Sequence, residues 1–415
     1  MQRLLPADLR PLRLRERELL PIVQGGMGVG ISAHRLAAAV ARESAMGTIA
    51  SVDLRHHHAD LMQQCKDVRD RALFDRLNLI ALDREVRWAR EQAQGRGAIA
   101  VNVMKAVDQH AALVRQSCES GANAIVMGAG LPLDLPELTA GFPDVALIPI
   151  LSDARGVAIV LRRWMRKKRL PDAIVIEHPR YAGGHLGATR IEELGDSRFD
   201  FERVFDGVGQ VLREQQIERE AIPLIAAGGI NSFEKMREVL ALGYGAVQIG
   251  TAFAVTEEGD AHLNFKKVLA GARAEDIVEF ISVAGLPARA VRTVWLERYL
   301  KREPVLRAEA AEWAAKKLPP DPVGRCSGAL QCLTSCGLRD GIASIGQFCI
   351  DTQLAAALRG ELSRGLFFRG ASSVPFGAAI RPVRELIDYL LTGLMPAPRT
   401  EGRSYSSPTG MPITA

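Results

Sequence analysis

A glycine-rich loop that contains one histidine lies near the middle of the chain. It reads Ala182-Gly183-Gly184-His185-Leu186-Gly187 and comes shortly after the apolar run 173–176. A continuous Val/Ile run is typical of a buried parallel strand, and glycines beyond its carboxyl end let the backbone approach a ligand closely. An imidazole titrates near neutral pH. We therefore interpret His185 as a candidate catalytic residue beside a ligand; a turn with an incidental surface histidine is the alternative.

Other loops have the same character. The loop 24–30 has almost no side-chain bulk, and Asn102 ends an apolar run with an amide that both donates and accepts hydrogen bonds. Glycines also follow the runs 223–227 and 246–249, each ahead of a helical segment. Backbone N–H groups at a helix N-terminus bind phosphate without a lysine, and in parallel barrels such loops form the usual phosphate site. Together the loops predict a bound FMN.

The elements that position these loops alternate in type over the first two-thirds of the chain. Helical patterns separate eight short apolar runs, which we predict as strands at 22–24, 47–50, 98–103, 123–127, 146–151, 173–176, 223–227 and 246–249. Strands that alternate with helical crossovers form parallel sheets. The fold class predicted is α/β, a (β/α)8 TIM barrel with a helical, Cys-rich C-terminal extension. An open doubly wound sheet is the alternative, because a sequence does not show closure.

Changes of pattern divide the chain into predicted regions. An N-terminal segment, 1–20, precedes an FMN-binding barrel, 21–295, which carries a long charged helical insertion at about 53–95. After residue 293 the pattern changes, so 296–395 is predicted to be an accessory Cys-rich helical region. The tail 396–415 is rich in Pro, Ser, Thr and Gly and is predicted to be flexible.

Composition limits the classes of function. The chain has 415 residues and a formal net charge of +5, with its basic residues scattered, so we expect neither a nucleic-acid nor a membrane partner. It has no apolar run long enough for a membrane span and no signal-peptide pattern. We therefore expect a cytoplasmic enzyme that acts on a small molecule, and we expect a homodimer.

Four of the six cysteines are close together after the predicted barrel. Cys326, Cys332, Cys336 and Cys349 lie within 24 positions. Four thiolates are the usual ligand set of an iron–sulfur cluster or of a structural zinc. The spacing lacks the paired C-x2-C pattern of zinc sites and resembles the ligand run of iron–sulfur flavoenzymes of the dienoyl-reductase type. A [4Fe–4S] cluster held by these four residues and plain packing of small apolar side chains remain the two main alternatives.

The order and spacing of the loops resemble a known family, the flavin-dependent nitronate monooxygenases, and the related flavin-containing enoyl-acyl-carrier-protein reductases. The resemblance spans about residues 20–290 and is carried by the segments 21–28, 101–103, 182–187, 225–230 and 248–258. It implies that His185 faces the substrate. The positions taken as cofactor-binding are Gly25, Gly26, Met27, Asn102, Gly183, Gly184, Gly228, Gly229, Gln248, Gly250 and Thr251.

The resemblance implies FMN-dependent oxidation of alkyl nitronates with O2, with His185 as base or anion stabiliser. The first alternative is an NAD(P)H-dependent enoyl-thioester reductase, which would use the same residues. The second is a non-catalytic flavin or redox sensor. Relatives carry Glu where this chain has Tyr181, a departure that bears on substrate preference. The aromatic pair Phe367-Phe368 is predicted to cover the flavin as a lid or, in the favoured interpretation, to seal the extension against the barrel.

Overall fold

A closed barrel of eight parallel strands forms the centre of the molecule. The structure, a computed structural model, describes residues 5–66, 68, 70–327 and 332–398. The strands are β1 (Leu12–Leu14), β2 (Arg17–Leu19), β3 (Ile22–Gln24), β4 (Met46–Ala50), β5 (Ala98–Met104), β6 (Ala124–Gly128), β7 (Ala146–Leu151), β8 (Ile174–Glu177), β9 (Gly184–His185), β10 (Leu224–Ala227), β11 (Ala246–Ile249), β12 (Ile277–Ile281) and β13 (Pro287–Val291). The barrel follows the order β3-β4-β5-β6-β7-β8-β10-β11 and returns to β3. The predicted TIM barrel is confirmed, and the open-sheet alternative is wrong.

Alternate residues of each barrel strand face opposite sides. In β5, Ala98 and Ala100 belong to the cluster inside the barrel, whereas Ile99 and Val101 belong to the cluster under the surrounding helices. Because side chains alternate along a strand, the next inward position in β5 is Asn102. Both faces of the strands are buried, which explains why the sequence shows continuous apolar runs rather than a polar alternation.

A short hairpin closes the amino-terminal end of the barrel. Strands β1 and β2 pair antiparallel, and Leu12, Leu14 and Leu19 join the interior cluster of the barrel. From the sequence, only an N-terminal segment without defined structure was predicted here. The alternation Leu12-Arg13-Leu14 was the available signal, since period two is typical of a half-buried strand.

Helices surround the barrel and also cover its carboxyl end. They are α1 (His34–Arg42), α2 (Ala59–Gln64), α3 (Arg71–Ala93), α4 (His110–Glu119), α5 (Leu135–Leu138), α6 (Ala154–Met165), α7 (Phe201–Glu214), α8 (Phe233–Ala241), α9 (Thr251–Ala254), α10 (Leu263–Gly271), α11 (Val294–Ala315), α12 (Ile350–Leu358) and α13 (Val383–Thr392). The predicted insertion contains α2 and the 23-residue α3, which packs against α1 and α4.

The chain beyond residue 295 packs into the same cores as the chain before it. Helix α13 contacts α1 and α8, and its Leu386 and Leu390 belong to the cluster under the surrounding helices. The hairpin β12–β13 shares a cluster with Leu333, Leu338 and Phe348. The predicted accessory region therefore supplies part of the barrel's outer layer and is not a separate unit.

Two sequence predictions concern the ends and the surroundings of the molecule. No helix in the described ranges is long and apolar enough to cross a membrane. The predicted flexible tail lies outside the described residues from position 399 onward, and the first four residues of the N-terminal segment lie outside them as well.

Candidate active site

A cavity of about 540 Å³ opens at the carboxyl ends of the barrel strands. Its volume falls within the range of about 300–1,000 Å³ that is usual for small-molecule sites. His185 lines it together with all eleven residues taken as cofactor-binding and all four C-terminal cysteines. The cavity therefore brings together every candidate site residue of the sequence analysis, including the cysteines, which the sequence placed in a different region.

The first glycine loop, which follows β3, passes too close to the end of β5 for a side chain at Gly26. A Cβ added to Gly26 would lie 2.3 Å from the Cβ of Asn102, so only glycine fits between the loop and the end of β5. Gln24 anchors the loop because its side-chain amide donates to the carbonyl oxygen of Thr48 at 3.0 Å and accepts the N–H of the same residue at 2.8 Å. Gln248 lines the cavity beside Gly25, and its buried Oε1 has no partner within the described chain.

Two further glycines turn the chain after β10, two strands along the barrel from β3. Gly228 and Gly229 have φ values of +99° and +76°, which disfavour any residue with a Cβ. Helix α8 begins shortly after them, with the Ser232 hydroxyl accepting the N–H of Lys235. The Thr251 hydroxyl, one residue after Gly250, accepts the N–H of Gly370 at 3.1 Å. The corner predicted to bind phosphate is thus tied to the C-terminal chain.

His185 is held by a second layer of β-structure above the barrel. It lies in β9, which pairs with β13 opposite Ala288, and its Nε2 lies 2.8 Å from the hydroxyl oxygen of Ser282. Burial lowers the pKa of His185 to about 4. The imidazole is therefore neutral at physiological pH, in contrast to the sequence-based expectation of a group that titrates close to it.

The C-terminal chain packs directly onto the histidine loop. A Cβ on Gly183 would lie 2.5 Å from the carbonyl carbon of Arg369, and the N–H of Ala371 donates to the oxygen of Tyr181. Phe368 lines the cavity with its ring centroid 5.7 Å from that of His185, whereas Phe367 is fully buried against Phe265. Phe367 is therefore placed to seal the extension against the barrel, whereas Phe368 faces the cavity, where a residue covering the flavin would lie.

A comparison with known families identifies the chain. The model described as nitronate monooxygenase matches residues 16–393. The chain belongs to the nitronate monooxygenase family. The members of this family are flavin enzymes, so the chain is an enzyme of the flavin-dependent oxidoreductase type, as the sequence predicted.

Individual relatives agree with this assignment. A probable nitronate monooxygenase from Bacillus subtilis (strain 168) is 28% identical over 296 residues, which are 67% of this chain and 78% of the relative. A nitronate monooxygenase from Pseudomonas aeruginosa is 33% identical over 109 residues, 26% of this chain and 28% of that one.

Solved structures show the same fold. FabK from Thermotoga maritima superposes with a TM-score of 0.62 at 23% identity, covering 91% of this chain and 93% of that chain. A nitroalkane oxidase from Streptomyces ansochromogenes does so with a TM-score of 0.55 at 19% identity, covering 93% and 96%. At these identities the likeness concerns the fold alone.

The cavity of this nitronate monooxygenase family member also contains a carboxyl group that the sequence analysis missed. Glu177 ends β8, two positions beyond the inward-facing Val175. No hydrogen bond or ion pair within the described chain involves its carboxyl group, and burial raises its pKa to about 7. A charged residue that interrupts an apolar run at an inward position was the signal available in the sequence.

A second missed feature is a pair of buried aspartates at the cavity wall. The carboxyl groups of Asp53 and Asp351 share a hydrogen bond, and Asp53 also contacts Arg55 and accepts the amide N–H of Asn78 at 2.8 Å. Burial and the neighbouring Asp53 charge raise the pKa of Asp351, whereas Asp351, Arg55 and Asn78 lower the pKa of Asp53 against its burial. The pair joins the insertion to helix α12.

The four C-terminal cysteines form two pairs. The thiol of Cys326 is hydrogen-bonded to Cys349, and that of Cys332 to Cys336. The hydrogen bond from Cys326 is the main cause that lowers the pKa of Cys349 to about 4, against burial, which raises it. In the described ranges, no group of three or more His, Cys, Asp or Glu side chains is placed to hold a metal ion. The predicted [4Fe–4S] cluster thus receives no support from this arrangement.

Proposed function

We propose that this protein is an FMN-dependent nitronate monooxygenase that oxidises alkyl nitronates with O2. One observation carries the proposal: in a chain of this family, His185 and all the predicted cofactor-binding positions line a single cavity at the carboxyl end of the barrel. That end is where the chemistry of such barrels is performed.

The residues present fit FMN. Gly25 and Gly26 provide a surface without side chains, and Asn102 and the unpartnered Gln248 Oε1 provide hydrogen-bonding groups that suit the edge of a planar heterocycle. Gly228 and Gly229, which follow β10, suit the phosphate, because backbone N–H groups there are not blocked by a Cβ. The remaining residues assigned to FMN in this proposal are Met27, Gly183, Gly184, Gly250 and Thr251.

His185 acts as a neutral imidazole in this proposal. When bound, FMN supplies the electron transfer to oxygen. A neutral ring accepts the proton from the α-carbon of a nitroalkane, or contacts the nitro group of a substrate that arrives as the nitronate anion. Ser282 fixes the direction of Nε2, and the Phe368 ring packs edge-on against the imidazole. His185 is the catalytic residue in this assignment, and Ser282 is a positioning residue.

The decisive experiment compares two reactions of the purified protein. We expect oxygen uptake with propionate 3-nitronate and no substrate-dependent oxidation of NADPH with a crotonyl thioester. The reverse result would favour the enoyl-thioester reductase, which uses the same cavity. Colourless protein that takes up no added FMN would contradict both. The cytoplasmic location and the homodimer stay predictions, to be tested by fractionation and by light scattering. The [4Fe–4S] cluster is the alternative use of the four cysteines, which iron and sulfide analysis would detect.

A further inference from the structure

The two thiol pairs lie in the same cavity as the predicted flavin site. Cys326, Cys332, Cys336 and Cys349 line it together with His185 and Asn102. None of the four is joined in a disulfide in the structure, and each pair of thiols is within hydrogen-bonding contact. Cys65 and Cys118, in contrast, are buried away from the cavity. The clustering of thiols thus belongs to the site and is not a general feature of the molecule.

Backbone hydrogen bonds connect the Cys-rich chain to two segments beside the site, the loop after β5 and the turn after β12. Asp108, which follows β5 and Asn102, donates its N–H to the carbonyl oxygen of Cys332 at 3.1 Å. Gly346 donates to the carbonyl oxygen of Ser282, the residue that contacts His185, at 3.2 Å. Two separate segments of the barrel region therefore fix the position of the Cys-rich chain beside the cavity.

Cys326 and Cys349 are the more accessible of the two pairs. Cys349 is the N-cap residue of the nine-residue helix α12. The hydroxyls of Ser327 and Thr352 lie 3.4 and 3.3 Å from its sulfur. Its partner Cys326 is half-buried, like Cys349, whereas Cys336 of the other pair is buried. Two thiols in contact that both line the cavity are the arrangement required for reversible disulfide formation.

We propose that Cys326 and Cys349 form a redox-active dithiol that exchanges two electrons with the flavin of this enzyme. The inference rests on the proposed FMN site but not on the nitronate reaction. The Cys349 sulfur reacts as its thiolate, so on oxidation one S–H bond, that of Cys326, breaks and one S–S bond forms. Two electrons and one proton pass to the oxidised flavin, which becomes the reduced flavin anion. In the opposite direction a reduced pyridine nucleotide reduces the flavin, which then reduces the disulfide.

The first test maps the thiols of the flavin-containing enzyme. The protein is alkylated after exposure to air, and again after anaerobic reduction with NADPH or, if NADPH does not react, with dithionite. Peptide mass spectrometry should find Cys326 linked to Cys349 in the first sample and both alkylated in the second. Free thiols at both positions in air would overturn the proposal, as would a disulfide found only between Cys332 and Cys336. Stoichiometric iron or zinc bound to the thiols would overturn it too.

The second test counts electrons. Bleaching the flavin of the air-oxidised enzyme anaerobically should consume two equivalents of a two-electron reductant, because flavin and disulfide each take one. Cys326→Ser and Cys349→Ser should each consume one, while Cys65→Ser, outside the cavity, should behave like the wild type. One equivalent for the wild type would contradict the proposal. These outcomes do not depend on nitronate turnover, so failure of the oxygen-uptake assay and failure of this inference are distinguishable.

Discussion

At the scale of single residues, the environment decides what each group in the cavity does. His185 is neutral because it is buried, and Glu177 keeps its proton to an unusually high pH for the same reason. The sequence identified His185 from its glycine neighbours, but it could not give the direction of the pKa shift, since that depends on packing by β13 and Phe368. Glu177 was not identified from the sequence because it lies at the end of an apolar run and belongs to none of the glycine loops that indicated the site.

Replacement of His185 tests its catalytic role. His185→Ala should bind FMN normally and lower turnover with a nitronate or nitroalkane at least tenfold, equivalent to about 1.4 kcal/mol. Because His185 stays neutral from pH 6 to pH 8, its titration should not change the turnover rate of the wild type in that range. The rate should fall only as the pH approaches the His185 pKa of about 4. His262→Ala, an exposed histidine outside the cavity, is the control. Full turnover in His185→Ala would remove the residue from the mechanism.

Replacement of Glu177 tests the raised pKa of the buried carboxyl group. Because the folded protein holds this proton up to about pH 7 and an unfolded chain loses it near pH 4.5, the wild type should lose stability as pH rises across that interval. Glu177→Gln removes this loss, so the melting temperature of the variant should exceed that of the wild type at pH 8 and approach it at pH 4.

The matched control for this measurement is Glu202→Gln, because the side chain of Glu202 is exposed on helix α7. It should leave the pH dependence of the melting temperature unchanged. Parallel melting curves for Glu177→Gln and the wild type from pH 4 to pH 8 would show that the carboxyl group is not buried in solution.

At the scale of elements, short loops are shaped by what packs against them from distant parts of the chain. The glycine loop after β3 must pass over Asn102 at the end of β5, and Gly183 must pass over Arg369 of the C-terminal chain. The sequence predicted both loops and the strands before them, because glycine runs and Val/Ile runs are local signals. It did not reveal the hairpin β12–β13, which orients His185 through pairing over a hundred residues away.

Gly26 offers a test at this scale. Gly26→Ala places a Cβ 2.3 Å from the Cβ of Asn102, so the loop or the asparagine must move. We expect FMN affinity, measured by fluorescence titration of the apoprotein, to fall at least tenfold, about 1.4 kcal/mol. Gly141→Ala, whose Cβ would meet no atom within 4 Å, should bind as the wild type does. Equal affinity of both variants would show that the close approach is not needed.

At the scale of the whole molecule, the chain after the barrel strands completes both the outer layer and the cavity. Helix α13 lies between α1 and α8, and the segment around Phe368 and the cysteines covers the carboxyl end of the barrel. This arrangement places residues from both sides of position 295 in shared clusters. The extension is thus part of the packed core as well as of the cavity wall.

The buried face of α13 tests this conclusion. Leu386 is 1% exposed, so Leu386→Ala should destabilise the protein by about 2–5 kcal/mol and lower its melting temperature. Leu394→Ala, just beyond the helix and 73% exposed, should change stability by no more than about 0.5 kcal/mol. Similar melting temperatures for the two variants would indicate that α13 is not part of the core.

The sequence by itself determined the eight barrel strands, the glycine loops and the histidine at position 185 within one of them, because each can be recognised from the types and spacing of neighbouring residues. Only the tertiary structure decided that the cysteines face the same cavity as His185, that they are arranged in two pairs, and that α13 closes the outer layer. The pairing of the cysteines depends on the fold of the chain around them, and the other two facts depend on contacts between residues far apart in the sequence, such as Cys332 with Asp108 and α13 with α1 and α8. Such contacts leave no local pattern, since apolar area and hydrogen bonds can be satisfied by many different partners until the whole chain is folded.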